Sequence, residues 1–223
     1  MQPGDELPPA EQDWHRFQQL SQLDNHWERP GWTDDRRSYH WLLTFEHASG
    51  LRELAAQCQE LFHSSPRFDL VPLDTLHLTL QRVTFTDELS AADLETAVAS
   101  VSQTCRYLAP FRLRIGWPAG STGAVRLTAL PTAPVVELRN VVRRSVPTRS
   151  VDRFWPHVSI AYSNTAQPVA PIVTTIEPLR SLSPAEALIS SLVLVELRRE
   201  SQVYRWEVLE RVELGGPMSA QEQ

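Results

Sequence analysis

Apolar residues recur with a helical period in three stretches of the chain. In LRELAAQCQELF, residues 51–62, they fall three and four positions apart, which is the spacing of one face of an α-helix. SAADLETAVASVSQTC, residues 90–105, has the same spacing, and Ser90 stands where an N-cap belongs. In PVVELRNVVRRSV, residues 134–146, Pro134 is placed for a first helical turn. The pattern therefore predicts three amphipathic helices.

Seven other stretches are rich in β-branched and aromatic residues and predict strands. They are SYHWLLTFEH (38–47), TLHLTLQRV (75–83), FRLRIGW (111–117), GAVRLTAL (123–130), PHVSIAYS (156–163), LISSLVLVELRRE (188–200) and YRWEVLERVEL (204–214). The predicted order is β-α-β-α-β-β-α-β-β-β, which lacks the regular alternation of a parallel sheet. We therefore expect an α+β fold.

The same pattern divides the chain into three parts. Residues 1–37 form an N-terminal extension in which WHRFQQLSQLDNHW (14–27) predicts a short helix. Residues 38–214 form one domain, and residues 215–223 form a flexible tail. The proline-rich stretch 171–187 is typical of a loop. The length of 223 residues is sufficient for one large domain or two small lobes.

Composition narrows the possible classes of protein. A hydrophobic content of 42% with 22% charged residues is typical of a globular protein. No apolar run approaches the ~18 residues of a membrane span, and the acidic, proline-rich start does not resemble a secretory signal, so we expect a cytoplasmic protein. The net charge of −6 argues against a broad nucleic-acid surface, although a local phosphate site remains possible. All 21 basic residues are arginine, a side chain suited to phosphate recognition but also favoured by coding bias.

One four-residue phrase occurs twice, each time in a predicted strand. The sequences are His77-Leu78-Thr79-Leu80 and His157-Val158-Ser159-Ile160. Because side chains alternate along a strand, each histidine shares a face with the hydroxyl residue two positions later, about 7 Å away. The apolar partners anchor the opposite face.

Two histidine–hydroxyl pairs suit the cleavage of a phosphodiester. In-line attack needs one group to take a proton from the attacking oxygen and a second to protonate the leaving oxygen on the opposite side of phosphorus. His77 and His157 can fill these roles, and Thr79 and Ser159 can hold the remaining phosphate oxygens. The scheme needs no metal or other cofactor. Alternatively, both histidines are structural; a zinc site built on them lacks an evident third ligand.

The doubled phrase resembles the H-x-[ST]-x tandem motif of the two-histidine (2H) phosphoesterase superfamily. Over roughly residues 38–214 the chain looks like the 2′-5′ RNA ligase and cyclic phosphodiesterase branch. The resemblance implies a bilobal fold in which two antiparallel sheets, with helices on the outside, form a central groove.

The resemblance also implies an activity and its residues. It implies hydrolysis of 2′,3′-cyclic phosphates on RNA ends or nucleotides, and in some members reversible joining of 2′-5′ linkages. His77 and His157 are then catalytic, with His157 activating water, and Thr79 and Ser159 bind phosphate. The partner is a small nucleotide or an RNA terminus with a cyclic phosphate. The alternative is a catalytically silent module that binds RNA ends or nucleotides.

Further residues near the two phrases have two interpretations each. Trp155 shares the face of His157 by alternation and can stack on a base or pack at the groove edge. Tyr162 falls on the apolar face of its strand, which favours packing. Arg82 and Arg126 can add charge near a phosphate, but a solvent-exposed position is commoner for a single arginine.

Overall fold

The computed structural model describes residues 7–33, 35–145 and 154–216. Most of the predicted tail, residues 217–223, lies outside this part of the chain, as do residues 1–6. Within the described residues no helix is long and apolar enough to cross a membrane.

Five α-helices occur in the described residues. They are α1 (Pro9–Gln18), α2 (Ser49–Gln59), α3 (Ala91–Cys105), α4 (Thr132–Ser145) and α5 (Ala170–Ile176). Helices α2, α3 and α4 lie where the apolar spacing predicts them. Ser90 caps α3, because its side chain accepts a hydrogen bond from the backbone N–H of Asp93 at 3.2 Å. The short α5 falls in the proline-rich stretch expected to be a loop; Pro171 sits in its first turn, where a missing N–H costs nothing.

The strands of the described residues include the seven that the sequence predicts and four short ones that it does not. They are β1 (Gln22–Leu23), β2 (Ser38–Thr44), β3 (Phe68–Leu70), β4 (His77–Phe85), β5 (Phe111–Ser121), β6 (Ala124–Leu130), β7 (His157–Ser163), β8 (Gln167–Pro168), β9 (Ala185–Ile189), β10 (Ser191–Glu200) and β11 (Val203–Glu213).

These strands form two main sheets, with every pairing antiparallel. One sheet has four strands in the order β11-β10-β2-β4, and the other has five in the order β3-β7-β6-β5-β9. Strands β1 and β8 form a separate two-stranded ribbon. The predicted α+β fold with two antiparallel sheets is thus confirmed. The two histidine phrases lie on β4 and β7, one in each sheet.

The segment before Ser38 packs on the rest of the molecule. Trp14 and Phe17 of α1 and Leu23 of β1 belong to the main hydrophobic cluster, and Phe17 is fully buried. Gly120 of β5 makes this packing possible, because a Cβ at that position would lie 2.1 Å from Cε2 of Phe17. The N-terminal residues therefore contribute to the core.

Candidate functional site

Strands β4 and β7 each begin at the histidine of the repeated phrase, and both rings are held in the same way. Nδ1 of His77 lies 2.8 Å from the carbonyl oxygen of Thr75, and Nδ1 of His157 lies 2.6 Å from that of Trp155. A carbonyl oxygen only accepts, so each Nδ1 is the donor and carries the hydrogen. The neutral rings therefore leave Nε2 with a free lone pair that can take a proton.

Each phrase ends in a β-bulge at its fourth residue. In β4, Thr79 pairs with Leu42 and Gln81 with Trp41, so Leu80 is an extra residue in the ladder. In β7 the register shifts in the same place, where Ser159 pairs with Arg126 and Ala161 with Val125, leaving Ile160 extra. A bulge shifts the alternation of side chains by one position.

The shifted alternation adds one more residue from each strand to the face that carries the histidine. These are Arg82 in β4 and Tyr162 in β7, each five positions after its histidine. Tyr162, which strict alternation assigns to the core face, lines the cavity. The two strands thus present matching sets: imidazole, hydroxyl, and then a longer polar side chain.

One cavity of about 330 Å³ is lined by both predicted catalytic histidines and both predicted phosphate-binding residues, which are His77, His157, Thr79 and Ser159. The lining comes from both main sheets and from the N-terminal segment. It consists of His26, Arg29, Trp32, His40, His77, Thr79, Arg82, Ser121, His157, Ser159, Tyr162, Leu197 and Tyr204. The structure therefore brings together the two phrases that are 80 residues apart in the sequence.

Trp155 does not belong to this lining. The guanidinium carbon of Arg16 lies 3.1 Å above the centre of its ring, so one face of the indole is already covered. The stacking of a base on Trp155 stays a prediction. The aromatic side chains that line the cavity are Trp32, Tyr162 and Tyr204.

Burial disfavours the charged form of both candidate catalytic histidines. It lowers the pKa of His77, against a smaller opposite effect of its hydrogen bond to Thr75. Burial, aided by the charge of Arg126, lowers the pKa of His157 to about 3.

Arg126 lies in β6 beside Ser159 and is only 5% exposed. The interpretation of Arg126 as a solvent-exposed residue is therefore wrong. Asp13 of α1, 1% exposed, forms an ion pair with it at 2.5 Å between Nη2 and Oδ1. The other oxygen of Asp13 accepts a hydrogen bond from Thr128, which pairs with His157 in the sheet. Helix α1 therefore supports the strand region next to His157.

Two further histidines line the cavity that sequence reasoning did not assign to it. His40 lies in β2, where Trp41 and Leu43 are buried in the main core, so alternation already places it on the opposite face. Burial, with the charge of Arg82, lowers its pKa to about 3. His26 comes from the N-terminal extension, and its only sequence signal is the aromatic-rich stretch HWERPGW.

Four histidines around one cavity raise the question of a metal. In the described part of the chain no three His, Cys, Asp or Glu side chains are arranged to hold a metal ion.

Two antiparallel sheets that each present a histidine and a hydroxyl to one cavity define the class of two-histidine phosphoesterases. Residues 46–201 match the family model of the 2′-5′ RNA ligase superfamily. The chain belongs to this superfamily. The match starts after the N-terminal segment that supplies His26, Arg29 and Trp32.

Solved structures show the same fold at low sequence identity. Escherichia coli LigT in complex with NADP+ aligns with a TM-score of 0.62 and 16% identity, over 81% of this chain and 99% of that chain. The Thermus thermophilus protein TT0787 aligns with a TM-score of 0.60 and 20% identity, over 81% of this chain and 98% of that chain. LigT is also known in complexes with 3′-AMP and with ATP. No curated protein sequence matches the chain at a significant level.

Proposed function

We propose that this protein hydrolyses 2′,3′-cyclic phosphates of RNA ends or nucleotides by two-histidine general acid–base catalysis, without a metal. The observation that carries the proposal is the convergence of both histidine–hydroxyl pairs on one cavity, with each Nδ1 engaged by a backbone carbonyl. The membership of the 2′-5′ RNA ligase superfamily supports it.

His157 acts as the general base in this proposal, and His77 acts as the general acid. Nε2 of His157 takes a proton from water as the water oxygen forms a bond to phosphorus. The bond between phosphorus and one ribose oxygen breaks, and protonated His77 gives its proton to that oxygen. The charge of Arg126 beside His157 supports this order, because it disfavours an imidazolium there.

Thr79 and Ser159 hold the phosphate oxygens that do not react. Each lies two residues after its histidine on the cavity face, so each hydroxyl can donate to an oxygen between the two rings. In the reverse direction, which would join a 2′-5′ linkage, the two histidines exchange roles.

The test is turnover of 2′,3′-cyclic nucleotides and of short RNAs with a cyclic phosphate end, in EDTA. We expect His77→Ala and His157→Ala each to lower kcat by about 100-fold or more, because each removes one proton-transfer group. His63→Ala is the matched control, since the side chain of His63 is 56% exposed and pairs only with Glu60 outside the cavity. Its turnover should equal that of the unmodified protein.

A second readout is the dependence of kcat/KM on pH. His77 has to be charged in the free protein, and its pKa is lowered below 6.5, so kcat/KM should fall as the pH rises through neutrality. It should fall again in acid as the pH approaches the pKa of His157, which is about 3. A rate that climbs steadily through the neutral range would contradict the paired mechanism. Binding of the cyclic phosphate without turnover would instead support the silent module.

A further inference from the structure

Residues 24–33, here called the capping segment, connect the two main sheets across the cavity. On the five-stranded side, the backbone N–H of His26 donates to the carbonyl of Ser163 at 2.7 Å, and Nε1 of Trp27 donates to Asp69 at 2.8 Å. On the four-stranded side, Nη1 of Arg199 donates to the carbonyl of Trp27 at 2.7 Å. The capping segment precedes residues 46–201, which match the family model.

Arg29 of the capping segment is fixed by His26. Its Nε donates to the carbonyl of His26 at 3.0 Å, and its Nη2 donates to Nδ1 of the same residue at 3.1 Å. Because Nδ1 accepts, Nε2 of His26 carries the hydrogen and donates to the hydroxyl of Tyr204 at 3.1 Å. Burial and the charge of Arg29 lower the pKa of His26 to about 2, so the ring stays neutral and keeps this geometry.

Arg82 reaches the same region from β4 because of the bulge after Thr79. Its Nε donates to Oγ of Ser38 at 3.2 Å, and its position opposite His40 fixes where the guanidinium lies. Both arginines line the cavity together with His40, and Arg82 pairs with His40 across the two strands. Burial is the main cause of the lowered pKa of Arg82, and the charges of Arg36, Arg29 and Arg199 lower it further.

No carboxylate neutralises this pair within the part of the chain that the structure describes. Neither Arg29 nor Arg82 forms a salt bridge there, and the cavity lining contains no Asp or Glu. Glu88, which attracts Arg82 from a distance, is bound by Arg36 and Thr84. Two cations without counter-charges in a chain of net charge −6 indicate a site for an anion.

Arg82 lies farther along β4 than the candidate catalytic His77. His77 pairs with Thr44 of β2, whereas Arg82 pairs with His40, four residues away in β2, which corresponds to roughly 13 Å along the strand. Arg29 reaches the cavity from a different part of the chain, the capping segment. An anion held by both arginines therefore lies farther along β4 than a phosphate between the two histidines.

We propose that Arg29 and Arg82 form a second phosphate subsite, so that the substrate carries a phosphate beyond the one that reacts. This inference rests on the proposed function and specifies its substrate class: a 5′-phosphorylated nucleotide or an oligonucleotide end, in preference to a nucleoside cyclic phosphate. The capping segment is then a specificity element, since it supplies one of the two arginines. Arginine can bind a phosphate with two parallel hydrogen bonds, which suits this role.

The experiment compares adenosine 2′,3′-cyclic phosphate with its 5′-phosphorylated counterpart. We expect the unmodified protein to show a kcat/KM about 10- to 100-fold higher for the 5′-phosphorylated substrate, the range of one charge-assisted hydrogen bond or salt link. Arg29→Gln and Arg82→Gln should each remove most of this preference, chiefly by raising KM for the 5′-phosphorylated substrate. Arg29→Lys should restore part of it, because it keeps the charge.

Arg198→Gln is the matched control. Arg198 precedes Arg199 in β10 but pairs with Glu200 and Glu207 outside the cavity, so its loss should leave the preference intact. Thermal melting of each variant establishes that it is folded. Equal kcat/KM for both substrates in the unmodified protein, or an undiminished preference in both cavity variants, would overturn the subsite.

Direct binding separates failure of the subsite from failure of the proposed reaction. Calorimetry with adenosine 2′-phosphate and adenosine 2′,5′-bisphosphate requires no turnover. If neither cyclic phosphate is hydrolysed but the bisphosphate binds more tightly and Arg29→Gln removes the difference, the subsite stands and the reaction is wrong. If hydrolysis occurs and the two ligands bind equally, the reaction stands and the subsite is wrong.

Discussion

At the scale of single residues, the chemistry depends on what fixes each charged or titratable side chain. His77 and His157 owe their tautomer to carbonyl groups two residues upstream, which is a local backbone effect. Arg126 is different, because its position depends on Asp13 from a remote helix. Burying a cation without its partner costs several kcal/mol of folding free energy, so the fold depends strongly on this ion pair.

We predict that Asp13→Asn destabilises the fold by about 3 to 5 kcal/mol, since it leaves Arg126 charged and unpaired in the interior. The measurement is the free energy of urea unfolding. Glu46→Gln is the comparison, because the pair of Glu46 with Arg211 at 3.0 Å is solvent-exposed and should contribute no more than about 1 kcal/mol.

The double variant Asp13→Asn/Arg126→Gln should be more stable than Asp13→Asn alone, because it no longer buries an unpaired charge. Equal effects of Asp13→Asn and Glu46→Gln would show that Arg126 reaches solvent or another partner when Asp13 is gone.

At the scale of elements, short irregularities in regular strands decide which side chains line the cavity. The bulges at Leu80 and Ile160 direct Arg82 and Tyr162 to the cavity face, which strict alternation would not. Helix α1 depends on a similar detail, the missing side chain at Gly120 of β5, where the Phe17 ring rests on the backbone.

We predict that Gly120→Ala destabilises the protein by about 1 to 3 kcal/mol, because the new methyl group overlaps the Phe17 ring and displaces α1. Gly50→Ala in α2 is the control. A Cβ there meets nothing closer than 3.9 Å, and alanine is the better helix former, so stability should be unchanged or slightly higher. Thermal and urea unfolding measure both.

The overlap is specific to the Phe17 ring, so Phe17→Leu combined with Gly120→Ala should cost less than the sum of the two single changes. Strictly additive effects would mean that Gly120→Ala acts through the strand and not through α1.

At the scale of the whole molecule, one cavity is lined by histidines from the capping segment, β2, β4 and β7. Burial is the main cause of every lowered histidine pKa there. The unfolded chain has no such burial, so the stability of the entire fold becomes linked to the protonation of these rings.

We predict that acid weakens the fold between pH 6.5 and pH 3. The pKa values of His26, His40 and His157 are lowered from 6.5 to about 2, 3 and 3, so in this window the unfolded chain binds more protons than the folded one. The contribution of these neutral histidines to the free energy of unfolding is therefore fully present above pH 6.5. It is lost as the pH falls, by up to ~1.4 kcal/mol per pH unit for each histidine.

Urea unfolding at pH 7, 6 and 5 measures this slope. His40→Leu should reduce the slope by the equivalent of about one proton, because leucine does not titrate. The same unfolding free energy at pH 7 and pH 5 would contradict the prediction.

How far the sequence predicts the site differs from residue to residue. His77, Thr79, His157 and Ser159 were identified from a repeated local phrase, and the alternation of a strand places each pair on one face. The same alternation rule, applied to β2, would also have predicted that His40 faces away from the core. Arg82 and Tyr162 were not, because a bulge is a property of two paired strands and is not visible in either one alone.

The N-terminal residues show more clearly which contacts the sequence pattern does not predict. Their polar loop pattern gives no sign that His26, Arg29 and Trp32 line the cavity, or that Asp13 neutralises Arg126. These contacts join residues up to 178 positions apart, as between His26 and Tyr204. Residues so remote in sequence leave no periodic signal.

The sequence by itself determined the α+β class, the main helices and strands, and the two histidine–hydroxyl pairs, because hydrophobic periodicity and strand alternation act over a few residues. Only the tertiary structure decided that the two pairs share one cavity, that an N-terminal segment closes part of it with Arg29, and that burial lowers the pKa of its histidines. Those features depend on which surfaces pack together and exclude water, and that is settled by the whole chain at once.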